Sequence, residues 1–453
     1  MMNYSFSMLA DLYQITMAEG YWKLGKHRQR AVFDLFFREN PFQGGYAIFC
    51  GLANIISGLS NFYFTGEDIR YLETLKTIHE KPLFDPSFLE ALKELRLSVN
   101  IDAMPEGSLV FPKEPLLRVE GPLWECQLLE TYLLNCVNFS TLIATKSSRV
   151  CLAAAGDPVI EFGLRRAQGP DGGLSASRAA YIGGTVATSN VLAGQLYGIP
   201  VSGTHAHSWV MSFDTEFEAF HAYAKVMPNN CMLLVDTYNT QQGIQNAIEI
   251  GLELKNRGYR LQGIRLDSGD LATLSIQARE QLDAAGLKET QIVGSNDLDE
   301  YAILRLKAKG AKISIWGVGT RLVTAYDQPS LGGVYKLVAI EDKNGEWQYK
   351  AKHTDDSYKK SWGGIHNVRR FKRNDFFVRD VIYNVYGPVP LIENDETSED
   401  LLRPIIREGK LIYETPSLVD IRKFALSQLE KFPDEFKQLK PTMQYSVLQK
   451  ELG

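Results

Sequence analysis

Two histidines one residue apart, His205 and His207 in GTHAHSW, close the short apolar run IPVSG. Side chains two positions apart in an extended segment share a face, so both imidazoles are expected to point the same way. That arrangement suits a metal held by two histidines and a third ligand such as Asp236, Asp267 or Glu161. It also suits a histidine that accepts a phosphoryl group, or one satisfied by its structural neighbours. A second cluster, RLDSGD, sets Arg265, Asp267 and Asp270 beyond the run LQGI. Arginine clamps carboxylates through a planar fork and aspartate accepts hydrogen bonds from vicinal hydroxyls, although the same charges can simply pair with one another.

Further along, GVGT (Gly317 to Thr320) offers backbone amides free of side chains and a hydroxyl ahead of a helix, which is a phosphate cradle in outline. GLRRAQGPDGG contributes Arg165 and Arg166, adjacent cations suited to an anion. Ser208 and Ser268 fit no nucleophile, base and acid in recognisable order. The chemistry these residues share is recognition of a phosphorylated, hydroxylated anion.

The elements that carry them repeat. From residue 158 the runs PVIEFGLRRAQ, IPVSGTHAHS, CMLLVDTYNT, LQGIRLDSGD, QIVGSND and AKISIWGVGT each end in a polar, charged or glycine cluster and lead into a helical stretch. That grammar predicts an α/β architecture of parallel βα units. A barrel is favoured, since barrels carry chemistry on the C-terminal ends of their strands and no GxGxxG follows the first run. Residues 1–140 read as an α+β domain, with a helix over Leu9 to Trp22, an alternating strand over Ala31 to Arg38, helices within 44–95 and short strands in MPEGSLVFPKEPLLRVEG. The apolar stretch 124–152 reads as one long buried helix leading into a barrel domain over 141–330. Residues 331–453 read as a return to the first domain, through the strand-like GGVYKLVAI, the basic HNVRRFKRND and an acidic linker, ENDETSED, to a charged helix over 416–432.

The 453 residues, 45% hydrophobic and 23% charged, suffice for two or three packed units. A net charge of -5 argues against nucleic acid as a partner. Five cysteines without ligand-like spacing suggest neither a disulfide framework nor zinc, and fit a reducing cytoplasm. No stretch approaches the roughly 20 apolar residues of a membrane span, and MMNYSFSMLADLYQ lacks the pattern of an export signal.

In this order DLYQITMAEGYW, FRENPFQGGYAIFCGL, PEGSLVFPKEPLLRVEGPL, EFGLRRAQGPDGG, SNVLAGQLYGIPVSGTHAHSW, RLDSGDL, GVGT and PSLGGVYKLV together resemble the nicotinate phosphoribosyltransferases over most of the chain. The resemblance implies a type II phosphoribosyltransferase fold, an irregular α/β barrel with an N-terminal α+β domain, in a homodimer whose active sites are shared across the interface. It implies that nicotinate and 5-phosphoribosyl 1-pyrophosphate give nicotinate mononucleotide and pyrophosphate in NAD biosynthesis. ATP is the implied co-substrate, with Mg²⁺ on the phosphates. By the same resemblance, ATP phosphorylates His207, while His205 stands where the family varies and receives no role. Tyr13 and Phe162 would stack on the pyridine ring, Arg265 and Thr204 would hold the carboxylate, and Arg165 would face the same anion. Asp267 would bind ribose hydroxyls; Gly319 and Thr320 would hold the 5-phosphate.

One segment departs from the family pattern of a lysine-rich PGKK before VxR. Here SWGGIHNVRRF has Gly363 in the proline position and Ile365 and His366 in place of lysines, leaving Lys360, Arg369 and Arg370 to compensate. The competing readings are a nicotinamide phosphoribosyltransferase, less favoured a quinolinate phosphoribosyltransferase, and from other classes a metal-dependent barrel hydrolase or lyase using both histidines, or a binding protein without activity.

Overall fold

The computed structural model describes residues 5–351, 363–393 and 395–450. The chain divides into two compact units, Met1–Leu142 with Ser330–Gly453, and Ile143–Pro329. Among the described residues no helix is long and apolar enough to cross a membrane.

The first unit holds the helices Leu12–Lys23, Leu52–Leu59, Gly66–Thr74 and Pro86–Glu94, and all but Leu52–Leu59 start where a side chain supplies a cap. Thr65 and Asp68 form a reciprocal capping box, and Asp85 caps a helix whose first residue is Pro86. A seven-stranded antiparallel sheet has Arg30–Phe37 in its interior, between Gly333–Glu341 and Leu117–Pro122. The alternation expected for this strand is absent. Ala31 through Leu35 are all buried, because an interior strand covered on both faces has no solvent side to mark with polar residues. Asp34 is the polar exception, 2.9 Å from Nδ1 of buried His366.

The expected acidic linker is instead a strand. Glu396–Asp400 forms the edge of a four-stranded sheet, paired antiparallel with His366–Arg373. The acidic string complements the basic one across the ladder: Arg369 meets Asp400 at 2.7 Å, Lys372 meets Glu399 at 2.5 Å and Arg373 meets Glu396 at 3.3 Å. Cross-strand opposite charges stabilise such a pair, a benefit invisible when either string is read alone. The two arginines expected to compensate for missing lysines are therefore already engaged. Arg369 is held by both Asp400 oxygens, and Arg370, fully buried, is spent on Asp380, the Leu109 carbonyl and Gln428. Lys360 lies outside the described residues.

Glu114 lies buried in the same network. Burial first, and then the neighbouring Asp380 charge, push its carboxyl well above the ordinary glutamate value. A folded-state value above the unfolded one means that the stabilising contribution is complete below the unfolded value and fades as pH rises toward the folded one. Glu114→Gln, a neutral isostere, is accordingly expected to gain melting temperature relative to the parent progressively between pH 4 and pH 8. A difference independent of pH in thermal unfolding would contradict a protonated Glu114.

The long helix expected over 124–152 is two helices, Leu123–Leu128 and Glu130–Ala154. Its C-terminal part enters the second unit, where six parallel strands follow: β1 (Val159–Glu161), β2 (Ala187–Thr188), β3 (Met232–Leu234), β4 (Gly263–Leu266), β5 (Gln291–Gly294) and β6 (Ile315–Val318). Their order is β2-β1-β6-β5-β4-β3, with Trp316, Ile264, Leu266, Ile292 and Val318 buried. The run IPVSG forms no strand. Val201 makes a single bridge to Thr188, supported by Thr188 N–H to the Pro200 carbonyl and Ser202 N–H to the Thr188 carbonyl, both at 3.0 Å. On its other side, the Leu234 amide of β3 donates to His205 Nε2 at 3.2 Å. Residues 200–205 thus span the gap between the edge strands β2 and β3, closing the cylinder with a side chain where a regular barrel would use backbone. The helices Thr240–Asn256, Leu271–Ala284 and Glu300–Ala308 are N-capped by Asn239, Asp270 and Asp299. Asp270, one of the charged trio in RLDSGD, is therefore a helix cap.

Candidate active site

At the C-terminal end of β4 the Arg265 guanidinium is held on three sides. Nε donates to Ser295 Oγ at 2.8 Å, Nη1 to Thr204 Oγ1 at 3.0 Å and Nη2 to Asp267 Oδ1 at 2.8 Å. The three acceptors come from separate connections, after β5, before His205 and after β4, so the arginine gathers the strand ends around itself. Its cationic carbon lies 5.5 Å from the centre of the Phe162 ring, which follows β1. Phe162 in turn needs Gly317 on β6, where a Cβ would sit 2.6 Å from the ring. Five N–H groups on a guanidinium, three of them committed here, leave one on each terminal nitrogen for a ligand.

The two histidines, with extended Ala206 between them and His207 opening the short helix His207–Met211, differ in burial and in partners. His205 is buried: Nε2 accepts the Leu234 amide and Nδ1 lies 3.3 Å from the Ala206 carbonyl. Burial lowers its pKa, and Arg265 and His207 add to that against the pull of Ala206. A lowered folded value makes its contribution complete above the unfolded value near 6.5 and lost as pH falls. His205→Gln, which keeps an acceptor for Leu234, is expected to flatten the loss of melting temperature between pH 6.5 and 5; parallel curves for parent and variant would contradict a neutral closing histidine.

His207 is 41% exposed at its side chain. Its Nδ1 lies 3.1 Å from Thr237 Oγ1, and its Nε2 lies 3.8 Å from Asp267 Oδ2. Asp267 thus faces two ways, with Oδ1 on Arg265 and Oδ2 toward His207. Asp236, at the end of β3, takes the Asp267 amide at 2.8 Å and the Ser268 hydroxyl at 2.6 Å on one oxygen; its other oxygen is buried without a hydrogen-bond partner. Ser268 is tied to Asp236 and is not part of a nucleophilic triad.

Glu161, a possible third metal ligand by sequence, is fully buried. Its oxygens accept the Gly163 amide, the Ser177 hydroxyl at 2.8 Å and the Thr188 hydroxyl at 2.6 Å, so it anchors the turn that presents Phe162. No group of three histidine, cysteine, aspartate or glutamate side chains among the described residues is arranged to hold a metal. His205 Nε2 and both Glu161 oxygens are occupied by protein partners.

Arg165 and Arg166 are exposed on the short turn Leu164–Arg166. Gly319 lies against the Phe162 carbonyl and precedes the helical turn Thr320–Val323, whose first amides have no partner within the helix. Tyr13 belongs to the first unit, on helix Leu12–Lys23, and is 45% exposed. Phe162, Thr204, His207, Arg265 and Asp267 are thus joined by direct contacts. Ser295, Asp236 and Thr237 complete the cluster. Their signal was the polar ending of QIVGSND and CMLLVDTYNT, which marks a mouth without ranking the residues in it.

Chemically, the mouth offers a preorganised cation beside an aromatic face, a carboxylate with one oxygen turned outward, and an accessible imidazole whose Nε2 is the less occupied nitrogen. Such a set can hold an aromatic anion, accept hydrogen bonds from hydroxyls and take up a phosphoryl group.

Comparison with known proteins agrees along the whole length. The model of the nicotinate phosphoribosyltransferase N-terminal domain matches residues 8–138, that of the nicotinate phosphoribosyltransferase family residues 159–386, and that of the C-terminal domain residues 389–452. Nicotinate phosphoribosyltransferase from Bacillus subtilis (strain 168) is 42% identical over 98% of this chain and 92% of its own. The protein of that name from Homo sapiens is 37% identical over 98% and 94%. The crystal structure of human nicotinic acid phosphoribosyltransferase superposes with a TM-score of 0.85 at 35% identity, covering 97% of each chain.

Proposed function

The chain belongs to the nicotinate phosphoribosyltransferase family, and from that premise we propose how its residues carry out the reaction, with the Arg265 cluster as the supporting observation. The activity joins nicotinate to 5-phosphoribosyl 1-pyrophosphate in NAD biosynthesis. The fold is the α/β barrel with an α+β unit shared with the human enzyme's structure.

Nicotinate is an aromatic anion. Its ring would lie on Phe162 and its carboxylate on the free N–H groups of Arg265, with Thr204 steadying the guanidinium and Arg165 adding positive potential. Asp267 Oδ2 would accept a ribose hydroxyl. The 5-phosphate would sit on the backbone at Gly319 and Thr320. In the transfer, the bond from the ribose anomeric carbon to pyrophosphate oxygen breaks as the bond to the pyridine nitrogen forms. The nitrogen is a weak nucleophile without a proton to lose, so the reaction needs no general base. It depends on alignment and on early departure of pyrophosphate, with positive charge developing on the ribose carbon. Magnesium fits this mouth as an ion carried by substrate phosphates. Asp236 has a carboxylate oxygen lacking a partner, and Mg²⁺ takes one or two such ligands with its waters and phosphates. When bound it would neutralise charge on the leaving pyrophosphate.

ATP enters through His207. Nδ1 is engaged by Thr237, leaving Nε2 to attack the γ-phosphorus: the N–P bond forms, the bridging P–O bond breaks and ADP leaves. Water later cleaves the N–P bond and releases phosphate. The phosphoryl group brings about two negative charges close to Asp267, and like-charge repulsion there would change how the ribose site is held. A homodimer is supported by the exposed apolar residues Leu9, Leu12, Tyr13 and Met17, which a second copy would cover while bringing Tyr13 to a pyridine ring. A cytoplasmic setting fits five cysteines outside any disulfide.

Steady-state formation of mononucleotide from nicotinate and from nicotinamide, with and without ATP, tests this reading. Preference for the acid and stimulation by ATP are expected; preference for the amide would overturn the assignment of Arg265.

A further inference from the structure

We propose that Ser295 is a positioning residue that keeps Arg265 from closing on Asp267 and so sets selectivity for a carboxylate over an amide. The inference rests on the reading of Arg265 as the carboxylate clamp and extends it to a residue that touches no substrate.

Arg265 and Asp267 stand two residues apart at one strand end, and an arginine beside an aspartate tends toward a pair of parallel hydrogen bonds that occupies both carboxylate oxygens. The structure shows a different arrangement. Ser295, buried at the end of β5, has its hydroxyl 2.8 Å from Arg265 Nε and within hydrogen-bond distance of Asp267 Oδ1 and the Leu266 carbonyl. Its amide donates to the Leu266 carbonyl at 3.0 Å, so the side chain is fixed to the same strand that carries Arg265. A hydroxyl has one proton and two lone pairs. Here it accepts from Arg265 and donates to an acceptor on β4 or on Asp267.

Two results follow. Arg265 Nε is occupied by a neutral acceptor, so Asp267 meets only Nη2, through Oδ1, and an N–H remains on each terminal nitrogen. Asp267 Oδ2 remains directed toward His207. Without the hydroxyl, Nε would be left buried with no acceptor, a costly state. A small rotation of the guanidinium onto both Asp267 oxygens relieves it. The clamp would then be quenched by its own neighbour, and a neutral amide would lose far less than a carboxylate.

The experiment compares the full-length parent with Ser295→Ala, Ser295→Thr and Arg265→Ala, measuring KM and kcat for nicotinate, nicotinamide and 5-phosphoribosyl 1-pyrophosphate together with melting temperature. Ser295→Ala is expected to raise KM for nicotinate about tenfold, the scale of one charged hydrogen bond. The acid-to-amide preference should fall in step, KM for the pyrophosphate substrate should rise as well because Asp267 Oδ2 is drawn onto the guanidinium, and Ser295→Thr, which keeps the hydroxyl, should recover most of both losses. A lower melting temperature with unchanged KM for nicotinate would overturn the inference, as would equal losses in Ser295→Ala and Ser295→Thr. If Arg265→Ala also leaves KM for nicotinate unchanged, the clamp reading fails with it; if Arg265→Ala raises KM while Ser295→Ala does not, the inference alone fails.

Discussion

Arg265→Ala is expected to lower kcat/KM for nicotinate by about 10²–10³, the loss of a charged pair of hydrogen bonds worth roughly 3–4 kcal/mol at 1.4 kcal/mol per decade. The reason lies in how much converges on this one side chain. It is 15% exposed, holds Thr204, Ser295 and Asp267 in a single arrangement, and lies over Phe162. Removing it takes away the ligand's counter-charge and leaves Asp267 without its cationic partner. Arg265→Lys should recover little, because a point charge cannot replace three directed donors and two spare ones. The loss should fall mainly on KM for nicotinate and be smaller for nicotinamide, which has no carboxylate. Equal losses for acid and amide in steady-state kinetics would show that Arg265 is only a scaffold.

His207→Ala is expected to separate the two halves of the reaction. Phosphoribosyl transfer persists, since no residue assigned to the pyridine or ribose is removed, but ATP no longer raises the yield of mononucleotide. Release of ADP should fall by about a hundredfold or more, as for loss of a nucleophile. The side chain is accessible and, among the described residues, is tied through Thr237 and the outer oxygen of Asp267, so the fold should tolerate the change. Undiminished ATP stimulation in the variant would place the phosphoryl acceptor elsewhere.

Five of the six parallel strands were legible because their apolar runs ended in residues that solvent or a ligand must satisfy, whereas IPVSG forms no strand and the two-residue Ala187–Thr188 gave no such run; Arg265, Thr204 and Asp267 do meet at one mouth. The relation between the histidines was not legible. Spacing of two treats the rings alike, whereas one is buried on the Leu234 amide and the other is exposed beside Thr237. Nor could the sequence reveal that a histidine ring, His205 accepting from Leu234, would stand in for a missing strand. That contact joins elements 29 residues apart and has no local signature. Glu161 misled for a similar reason: a carboxylate at a strand end looks like a ligand until Gly163, Ser177 and Thr188 are seen to take both of its oxygens. The acidic strand Glu396–Asp400 was hidden because the charges that hold it belong to a strand some thirty residues earlier. Local patterns therefore marked where the mouth is, while the division of labour within it depended on long-range hydrogen bonds.

The most direct test of the ATP-coupled mechanism is incubation of the parent and His207→Ala with γ-labelled ATP, followed by quantitation of acid-labile, base-stable label on the protein. Label on the parent and none on the variant is the predicted result; label entering the variant, or neither protein, would contradict it.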